Sequence, residues 1–582
     1  MNARLDAPGL RPAAPPDRVP LSGAAQLIRS LLALGVDTVF GYPGGAVLPL
    51  YDALHAEPRL RHVLVRHEQA AVHAAEGYAR STGRIGVVFV TSGPGVANTV
   101  SGLLDAHSDS IPLLCISGQV KREAIGTQAF QECDALSITR SVTKWNVQVR
   151  AADEIDATVR RAVALAQEGR PGPVLIDIPK DVQAEAVRAA TFARPAPTLP
   201  AAPKASLRAR AELAALALAA ARRPVFYGGG GLVSAGEGAC AAFTELVRRT
   251  GAPCTLTLMG LGALPARSPQ WLGMLGMHGT LEANLAMHEA DLIVAVGARF
   301  DDRVTSRLHD FCPKASFIQL DIDPAQIGRV VQPRLALLGD CGDTLQALLG
   351  AWGARPAGDL RDWWAQIEAW RARRSLAYRD DPARIVPQAL LQALDARLQG
   401  RDAIVSTDVG QHQMWAAQYL GFDKPRRFLT SGGAGTMGYG LPAAIGAQIA
   451  HPGRTVVCVS GDASVLMNLQ ELATAVQHRA PVKLVLVNNG RMGMVRQWQQ
   501  LHYEGRYSHS YTAALPDFVQ VARGFGWQAR RVEARAELEV ALDACLASEQ
   551  PYFLDVVVQA EENCYPMIPA GAGHHEMLLA PA

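Results

Sequence analysis

The sequence has no clustered cysteines, no long apolar run and no surplus of charge, and each absence removes a class of protein. Its nine cysteines (115, 133, 240, 254, 312, 341, 458, 545 and 564) are scattered over 582 residues, with no CxxC pair and no neighbouring histidine at metal-ligand spacing. A disulfide scaffold or a zinc site needs its ligands gathered, so these read as buried thiols in a reducing compartment. The longest apolar run, residues 213–221, falls well short of the roughly 20 residues that span a bilayer. Lysine plus arginine number 56 against 54 aspartate plus glutamate, a formal net charge of +2. A nucleic-acid or anionic-membrane partner calls for a basic surplus on one face, and there is none to supply it. The first twenty residues carry Arg4, Arg11 and Arg18 but also Asp6, Asp17 and repeated proline, without the apolar segment of a secretory signal. The expectation is a cytoplasmic protein with a loose N-terminal tail.

Apolar residues, at 49%, and glycine, at 53 positions, are plentiful. A chain of this length exceeds what one core serves, and two to four domains of roughly 100 to 200 residues are expected. Short β-branched runs followed by helical stretches recur, at 62–65, 86–91, 111–116, 174–178, 225 onward, 292–296, 317–322, 404 onward and 553–558. Alternation at this spacing predicts parallel, doubly wound sheets. The α/β chain divides into three domains, 19–186, 208–350 and 385–570. Residues 187–207, with Pro195, Pro197, Pro200 and Pro203, read as a linker. A Trp- and Arg-rich helical stretch, 360–378, followed by Asp380-Asp381-Pro382, separates the second domain from the third.

The densest chemistry lies in the third domain. Residues 456–460 and 482–487 read as buried parallel strands joined by a crossover helix at 466–476. Asp462 and Asn489 then lie just past strand carboxyl ends, where open α/β sheets bind ligands. A carboxylate and an amide supply too few hard oxygens for octahedral Mg²⁺, so phosphate oxygens and water must complete the shell. The site asks for a diphosphate. Taken singly, Gly-Asp is more often a helix cap, Asn-Asn a turn, and a Glu such as Glu68 at the start of an Ala-rich helix a partner of the helix dipole. Gly433-Ala-Gly-Thr-Met-Gly438 satisfies GxGxxG but follows a short strand and is weak evidence for a nicotinamide cofactor. Gly228-Gly-Gly-Gly231, after an apolar run, is a better candidate for close backbone approach to a dinucleotide.

Gly461-Asp462 followed by Asn488-Asn489, together with Glu68 leading into Ala75-Glu-Gly-Tyr-Ala-Arg80, resembles the thiamin-diphosphate-dependent enzymes. Over roughly residues 20–570 the chain is similar to the acetolactate synthases among them. Phe40-Gly-Tyr-Pro-Gly-Gly45, Thr91-Ser-Gly-Pro-Gly95 and Gly126-Thr-Gln-Ala-Phe-Gln131 look like that family's pyrimidine-binding first domain. Leu258-Met-Gly-Leu-Gly262, Leu275-Gly-Met-His-Gly-Thr280 and Gly297-Ala-Arg-Phe-Asp-Asp-Arg303 look like its FAD-binding middle domain. Gly410-Gln-His-Gln-Met-Trp415, Gly435-Thr-Met-Gly-Tyr-Gly440 and Gly493-Met-Val-Arg-Gln-Trp498 look like its diphosphate-binding third domain.

The resemblance implies the following roles. Glu68 is the acid that activates the cofactor through its aminopyrimidine ring. Asp462, Asn489 and the backbone carbonyl of Arg491 hold Mg²⁺. Gln411, His412, Gly435, Met437, Gly461, Asp462, Ala463, Ser464, Asn489, Gly493 and Met494 border thiamin diphosphate, with Met437 under the bend of the folded cofactor. Ala463 stands where the family usually has glycine, tolerable if its φ is negative. FAD would meet Gly229, Gly230, Leu258, Met259, Leu275, Gly276, Met277, His278, Gly297, Ala298, Arg299, Phe300, Asp301, Asp321, Ile322 and Asp340. Arg303 would pair with a 2-keto acid carboxylate, Trp498 would wall the alkyl pocket, and Phe130 and Gln131 would line the same channel. A salt-bridge knot among Arg299, Asp301, Asp302 and Arg303 is the structural alternative.

The activity so implied is decarboxylation of pyruvate on thiamin diphosphate and condensation of the hydroxyethyl unit with pyruvate or 2-oxobutanoate. The products are 2-acetolactate or 2-aceto-2-hydroxybutanoate, in the first common step of branched-chain amino-acid biosynthesis, and FAD is structural. In this family Glu and metal-binding domain come from different subunits, so a homodimer or dimer of dimers is implied, with room for a small regulatory subunit. A pyruvate oxidase or simple keto-acid decarboxylase is the rival on the same fold. A non-catalytic cofactor-binding regulator would be expected to lack Glu68, Asp462 or Asn489.

Overall fold

Uninterrupted Val, Ile and Leu runs make strands buried on both faces, the pattern of parallel sheets covered by helices. The computed structural model describes residues 21–188 and 204–581. The N-terminal tail and most of the 187–207 stretch lie outside them, and the helix Lys204–Ala220 already occupies the end of that stretch. The first sheet comprises β1 (Thr38–Gly41), β2 (Arg61–Leu64), β3 (Gly86–Val90), β4 (Leu113–Gln119), β5 (Trp145–Gln148) and β6 (Pro173–Pro179). The second holds β7 (Pro224–Gly228), β8 (Cys254–Leu256), β9 (Trp271–Met274), β10 (Leu292–Val296), β11 (Ser316–Asp321) and β12 (Leu335–Leu338). The third holds β13 (Ile404–Thr407), β14 (Phe428–Leu429), β15 (Val456–Gly461), β16 (Lys483–Asn488), β17 (Gln528–Val532) and β18 (Tyr552–Val557).

All three sheets are parallel throughout. The orders β2-β1-β3-β4-β6-β5 and β14-β13-β15-β16-β18-β17 are the same path traced twice, whereas β12-β11-β10-β7-β8-β9 reverses between β10 and β7. That reversal is the topological switch point at which doubly wound sheets open a ligand crevice. The third sheet is covered on both faces in strict alternation. Val457, Val459, Val485 and Leu554 join the core shared with the second unit. Val456, Cys458, Leu484 and Phe553 face the core shared with the first.

The first and third units meet through the helices Glu68–Thr82 and Gly440–Ala450. Their crossing requires glycine, because a Cβ at Gly77 would fall 2.0 Å from Ala443 O and one at Gly446 would fall 1.8 Å from Ala74 O. Two expectations change. Residues 466–476 do not form one helix: a short helix Asp462–Val465 and a turn precede Leu472–Gln477, because the buried Asn468 side chain bonds Gly438 O at 2.7 Å. The stretch 360–378 is helical at Arg361–Arg371 alone. Among the described residues no helix is long and apolar enough to cross a membrane.

Candidate active site

The carboxyl edge of the third sheet opens into a cleft lined by residues 409–412, Trp415, Met437, residues 461–464, Val487, Asn489 and residues 491–495. Three helices begin there: Gln411–Tyr419 after Gly410, Asp462–Val465 after Gly461, and Gly493–His502 after Met492. None has a side-chain cap at its N-cap residue. The first N–H groups of a helix have no partner within it and carry the positive end of its dipole. Two of the three, at Gln411 and Gly493, are full helices whose free N–H ends meet at one cleft, an arrangement suited to an anion.

Asp462 is buried to 1% exposure. Its Oδ1 accepts from Ala463 N at 2.9 Å, while Oδ2 has no partner. Burial pushes this carboxyl up to about 6 against the backbone N–H groups that lower it. A buried carboxylate oxygen that makes no strong hydrogen bond has a lone pair to offer a cation. Asn489 lies across the cleft, with Arg491 N donating to its Oδ1 at 3.1 Å. Two hard side-chain oxygens, a neighbouring main-chain carbonyl at Arg491 and an anion receptor make a set that fits a divalent cation bound to a diphosphate. His412 is held neutral by burial, at about 3, and its Nε2 is unpartnered. Ala463 sits in the helix Asp462–Val465 and outside the positive-φ region, so its methyl brings no backbone strain.

Of the diphosphate residues expected from the sequence, Gln411, His412, Met437, Gly461, Asp462, Ala463, Ser464, Asn489, Arg491, Gly493 and Met494 line this cleft; Gly435 stands outside the lining. The sequence reading missed Asp408, which follows β13. Its buried carboxylate receives Gly438 N at 2.9 Å and Gly440 N at 3.2 Å and so anchors the loop that carries Met437. A carboxylate just past a strand end was the available signal.

Glu68 is not in the cleft lining. It occupies the first turn of its helix, behind His67 as N-cap, and Asn98 Nδ2 donates to its Oε2 at 2.9 Å. Gln131 belongs to the same neighbourhood. It packs on Gly93 of the loop that also brings Gly95 beside Glu68, and it adopts φ 60°. Phe130 next to it is 88% exposed. Arg303 and Trp498 are likewise outside the lining; the Arg303 guanidinium lies over the Trp498 indole at 5.9 Å, and Trp498 stands on the Gly493–His502 helix that begins at the cleft, so the pair joins the second unit to the third. Arg303 and Asp302 approach at 3.8 Å and Arg299 and Asp301 at 3.6 Å, all largely exposed, so the ion pairs add little stability. One chain thus carries Glu68, Phe130 and Gln131 on the first unit, outside the cleft lining, and the Arg303–Trp498 pair at the helix that opens the cleft of the third.

The residues expected at FAD collect on the second sheet. Gly229 and Gly230 follow β7, Leu258 and Met259 follow β8, and Leu275 to His278 follow β9. Gly297 to Asp301 follow β10, Asp321 and Ile322 end β11, and Asp340 follows β12. All six carboxyl ends thus contribute. Gly229 and Gly231 pack on the Gly297 loop across the switch point, a Cβ at Gly229 meeting Gly297 O at 2.4 Å. Their lack of side chains serves that loop contact. Phe300 holds φ 57° while buried among Tyr227, Phe311 and Phe317, a backbone state that costs of order 1–3 kcal/mol for a bulky residue.

Family models for thiamine pyrophosphate enzymes match in three stretches: the N-terminal TPP-binding domain at 21–138, the central domain at 211–348 and the C-terminal TPP-binding domain at 408–556. The chain is 47% identical over 580 residues to the acetolactate synthase isozyme 3 large subunit of Escherichia coli (strain K12), covering 96% of this chain and 99% of that one. It is 45% identical over 575 residues to the acetolactate synthase large subunit of Haemophilus influenzae, with 96% and 98% covered. Against the mitochondrial acetolactate synthase catalytic subunit of Saccharomyces cerevisiae it is 43% identical over 585 residues, with 96% and 84% covered.

Proposed function

The chain belongs to the thiamine pyrophosphate enzymes, within them to the acetolactate synthase large subunits, and on that premise we infer that it joins two 2-keto acids. It decarboxylates pyruvate and condenses the two-carbon unit with pyruvate or 2-oxobutanoate, giving 2-acetolactate or 2-aceto-2-hydroxybutanoate, the first common step toward valine, leucine and isoleucine. The observation that carries this reading is the meeting of two uncapped helix starts, at Gln411 and Gly493, with the buried Asp462 carboxyl and Asn489 in one cleft.

Thiamin diphosphate, when bound, supplies the carbon nucleophile and the electron sink for decarboxylation. Asp462, Asn489 Oδ1 and the Arg491 carbonyl would hold Mg²⁺, and the helix N–H groups would receive the diphosphate. Met437, anchored through Asp408, would support the cofactor's bend. Arg303 would pair with a substrate carboxylate, and Trp498 would wall the alkyl pocket. FAD would lie on the carboxyl edge of the second sheet in a structural role, since neither half-reaction transfers net electrons.

The separation of Glu68, Phe130 and Gln131 from the cleft supports an active site built from two copies, in a homodimer or dimer of dimers. Glu68 of one copy would then present its carboxyl to the aminopyrimidine ring held by the other. Relatives named as large subunits support a small regulatory partner, and the scattered free thiols support a cytoplasmic location. Incubating the purified protein with pyruvate, Mg²⁺ and thiamin diphosphate should yield acetolactate without oxygen consumption. Acetaldehyde as the main product, or oxygen uptake, would overturn the reading in favour of a decarboxylase or oxidase.

A further inference from the structure

An amide side chain can ligate a cation through its oxygen alone, and the two ends of an amide are settled by the hydrogen bonds around it. At Asn489 one such bond is local, Arg491 N donating to Oδ1 at 3.1 Å, and the other leads away from the cleft. Cys564 N donates to Gln497 Oε1 at 2.8 Å, and Gln497 Nε2 donates to Cys564 O at 3.3 Å and faces Met567 Sδ at the same distance. A main-chain N–H can only donate and a carbonyl only accept, so the orientation of Gln497 has no alternative. Its Oε1 must then be met by the nitrogen end of Gln411, and Gln411 Nε2 donates to it at 2.8 Å. The Glu562 carbonyl demands the same end of Gln411, at 2.9 Å. Gln411 Oε1 is thereby turned toward Asn489, whose Nδ2 donates to it at 3.4 Å. The oxygen of Asn489 is then left to the side of Arg491 N and the cleft, so the Gln411 bond and the Arg491 bond agree on the same end.

We propose that Gln497 is a positioning residue for the metal site, transmitting the fixed polarity of the Cys564 main chain through Gln411 to the Nδ2 end of Asn489 and so reinforcing, beside Arg491 N, the orientation in which Oδ1 faces the cation. The inference rests on the thiamin-diphosphate reading. Every member is held in place. Gln497 and Cys564 are 0% exposed and Gln411 3%. Gly493 makes the room, since a Cβ there would fall 2.1 Å from Gln411 Oε1. Arg496, 1% exposed, secures the same segment by donating to Glu562 O at 2.7 Å and Asn563 Oδ1 at 2.6 Å. The stretch after β18 thus takes part in the site without lining it. The relay also places a residue beside Trp498 in metal binding, although its side chain points away from the substrate group.

Removing such an outer partner weakens metal binding by about ten-fold or more. The test titrates metal-depleted protein with Mg²⁺ at fixed thiamin diphosphate, read by calorimetry. Gln497→Met, close in volume but without the amide, should raise half-saturating Mg²⁺ several-fold, short of the roughly ten-fold loss on removing a direct partner of a ligand, because Gln497 acts through Gln411. The melting temperature of its metal-free form should stay near that of the unaltered protein. Gln497→Glu, which replaces the donor facing Cys564 O by an acceptor, should shift Mg²⁺ the same way and serves if the Met variant does not fold. Unchanged Mg²⁺ dependence in a folded variant, with the parent protein binding normally, would overturn the relay alone. A lowered metal-free melting temperature with unchanged Mg²⁺ dependence would do the same. Failure of the parent protein to bind Mg²⁺ and thiamin diphosphate would overturn the functional reading itself.

Discussion

Glu68 and Trp498 make different demands on their side chains, and single substitutions separate them. Glu68 is held by Asn98 at 2.9 Å, a bond that a glutamine can also make by turning its carbonyl oxygen to Asn98 Nδ2. Glu68→Gln therefore keeps the local structure and removes the proton that a carboxyl exchanges. Turnover should fall by at least about 10²-fold, the size of an acid–base contribution, while Mg²⁺ and thiamin diphosphate bind as before. Steady-state rates beside calorimetric binding check this, and unchanged turnover would remove Glu68 from its role. Trp498 acts by area. One methylene in an apolar pocket is worth about 1–3 kcal/mol, so Trp498→Leu should lower the preference for 2-oxobutanoate over pyruvate. The product ratio with both acids present measures it, and an unaltered ratio would place the indole elsewhere in the mechanism.

At the level of elements, the turn from β2 into the Glu68 helix is held from the third unit by Glu471. Its carboxyl accepts from Arg66 N at 3.0 Å and from Thr474 Oγ1 at 2.6 Å, and it is 1% exposed. Burial raises it to about 7, against the Thr474 hydroxyl, the Arg66 and His67 backbone N–H groups and the Arg66 guanidinium, which all lower it. A carboxyl raised in the folded state stabilises below its unfolded pKa and loses that contribution as pH rises through the folded one. Between about pH 4.5 and 7 the parent protein should therefore lose stability relative to Glu471→Gln, by up to about 1.4 kcal/mol per pH unit. Melting temperatures of the two proteins at matched scan rates check this, and parallel pH profiles would refute it. The same element scale shows what was legible in the sequence. β15 and β16 stand out as largely apolar runs, and Asp462 and Asn489 follow them directly, so strand ends alone point to the two residues proposed to hold the metal. The crossover helix was not legible, because Asn468 exchanges helical geometry for a tertiary bond to Gly438 O. Gln497 was equally hidden: nothing in a helical glutamine announces a partner at Cys564.

At the scale of the whole molecule, two sheets share one strand order and pack through the Gly77 and Gly446 helix crossing, yet Glu68 of the first is not among the residues that line the Asp462 cleft of the third. The first unit carries Glu68 and the third the Asp462 cleft, so a site assembled in trans can be told from one assembled in cis by complementation. Glu68→Gln and Asp462→Ala chains are each expected to be inactive alone. In a mixed dimer assembled in trans, the intact Glu68 of the Asp462→Ala chain meets the intact Asp462 of the Glu68→Gln chain. One site is then whole, and the other carries both lesions. Random pairing makes about half of the dimers mixed, each with one working site of two, so co-expression of differently tagged chains should restore about a quarter of the parent activity. Dimers purified through both tags should reach about half. A cis site puts one lesion in every site and restores nothing. Null activity in doubly tagged, correctly folded dimers would thus refute the two-chain site while leaving the Mg²⁺ and cofactor binding of the Glu68→Gln chain to be accounted for within one chain.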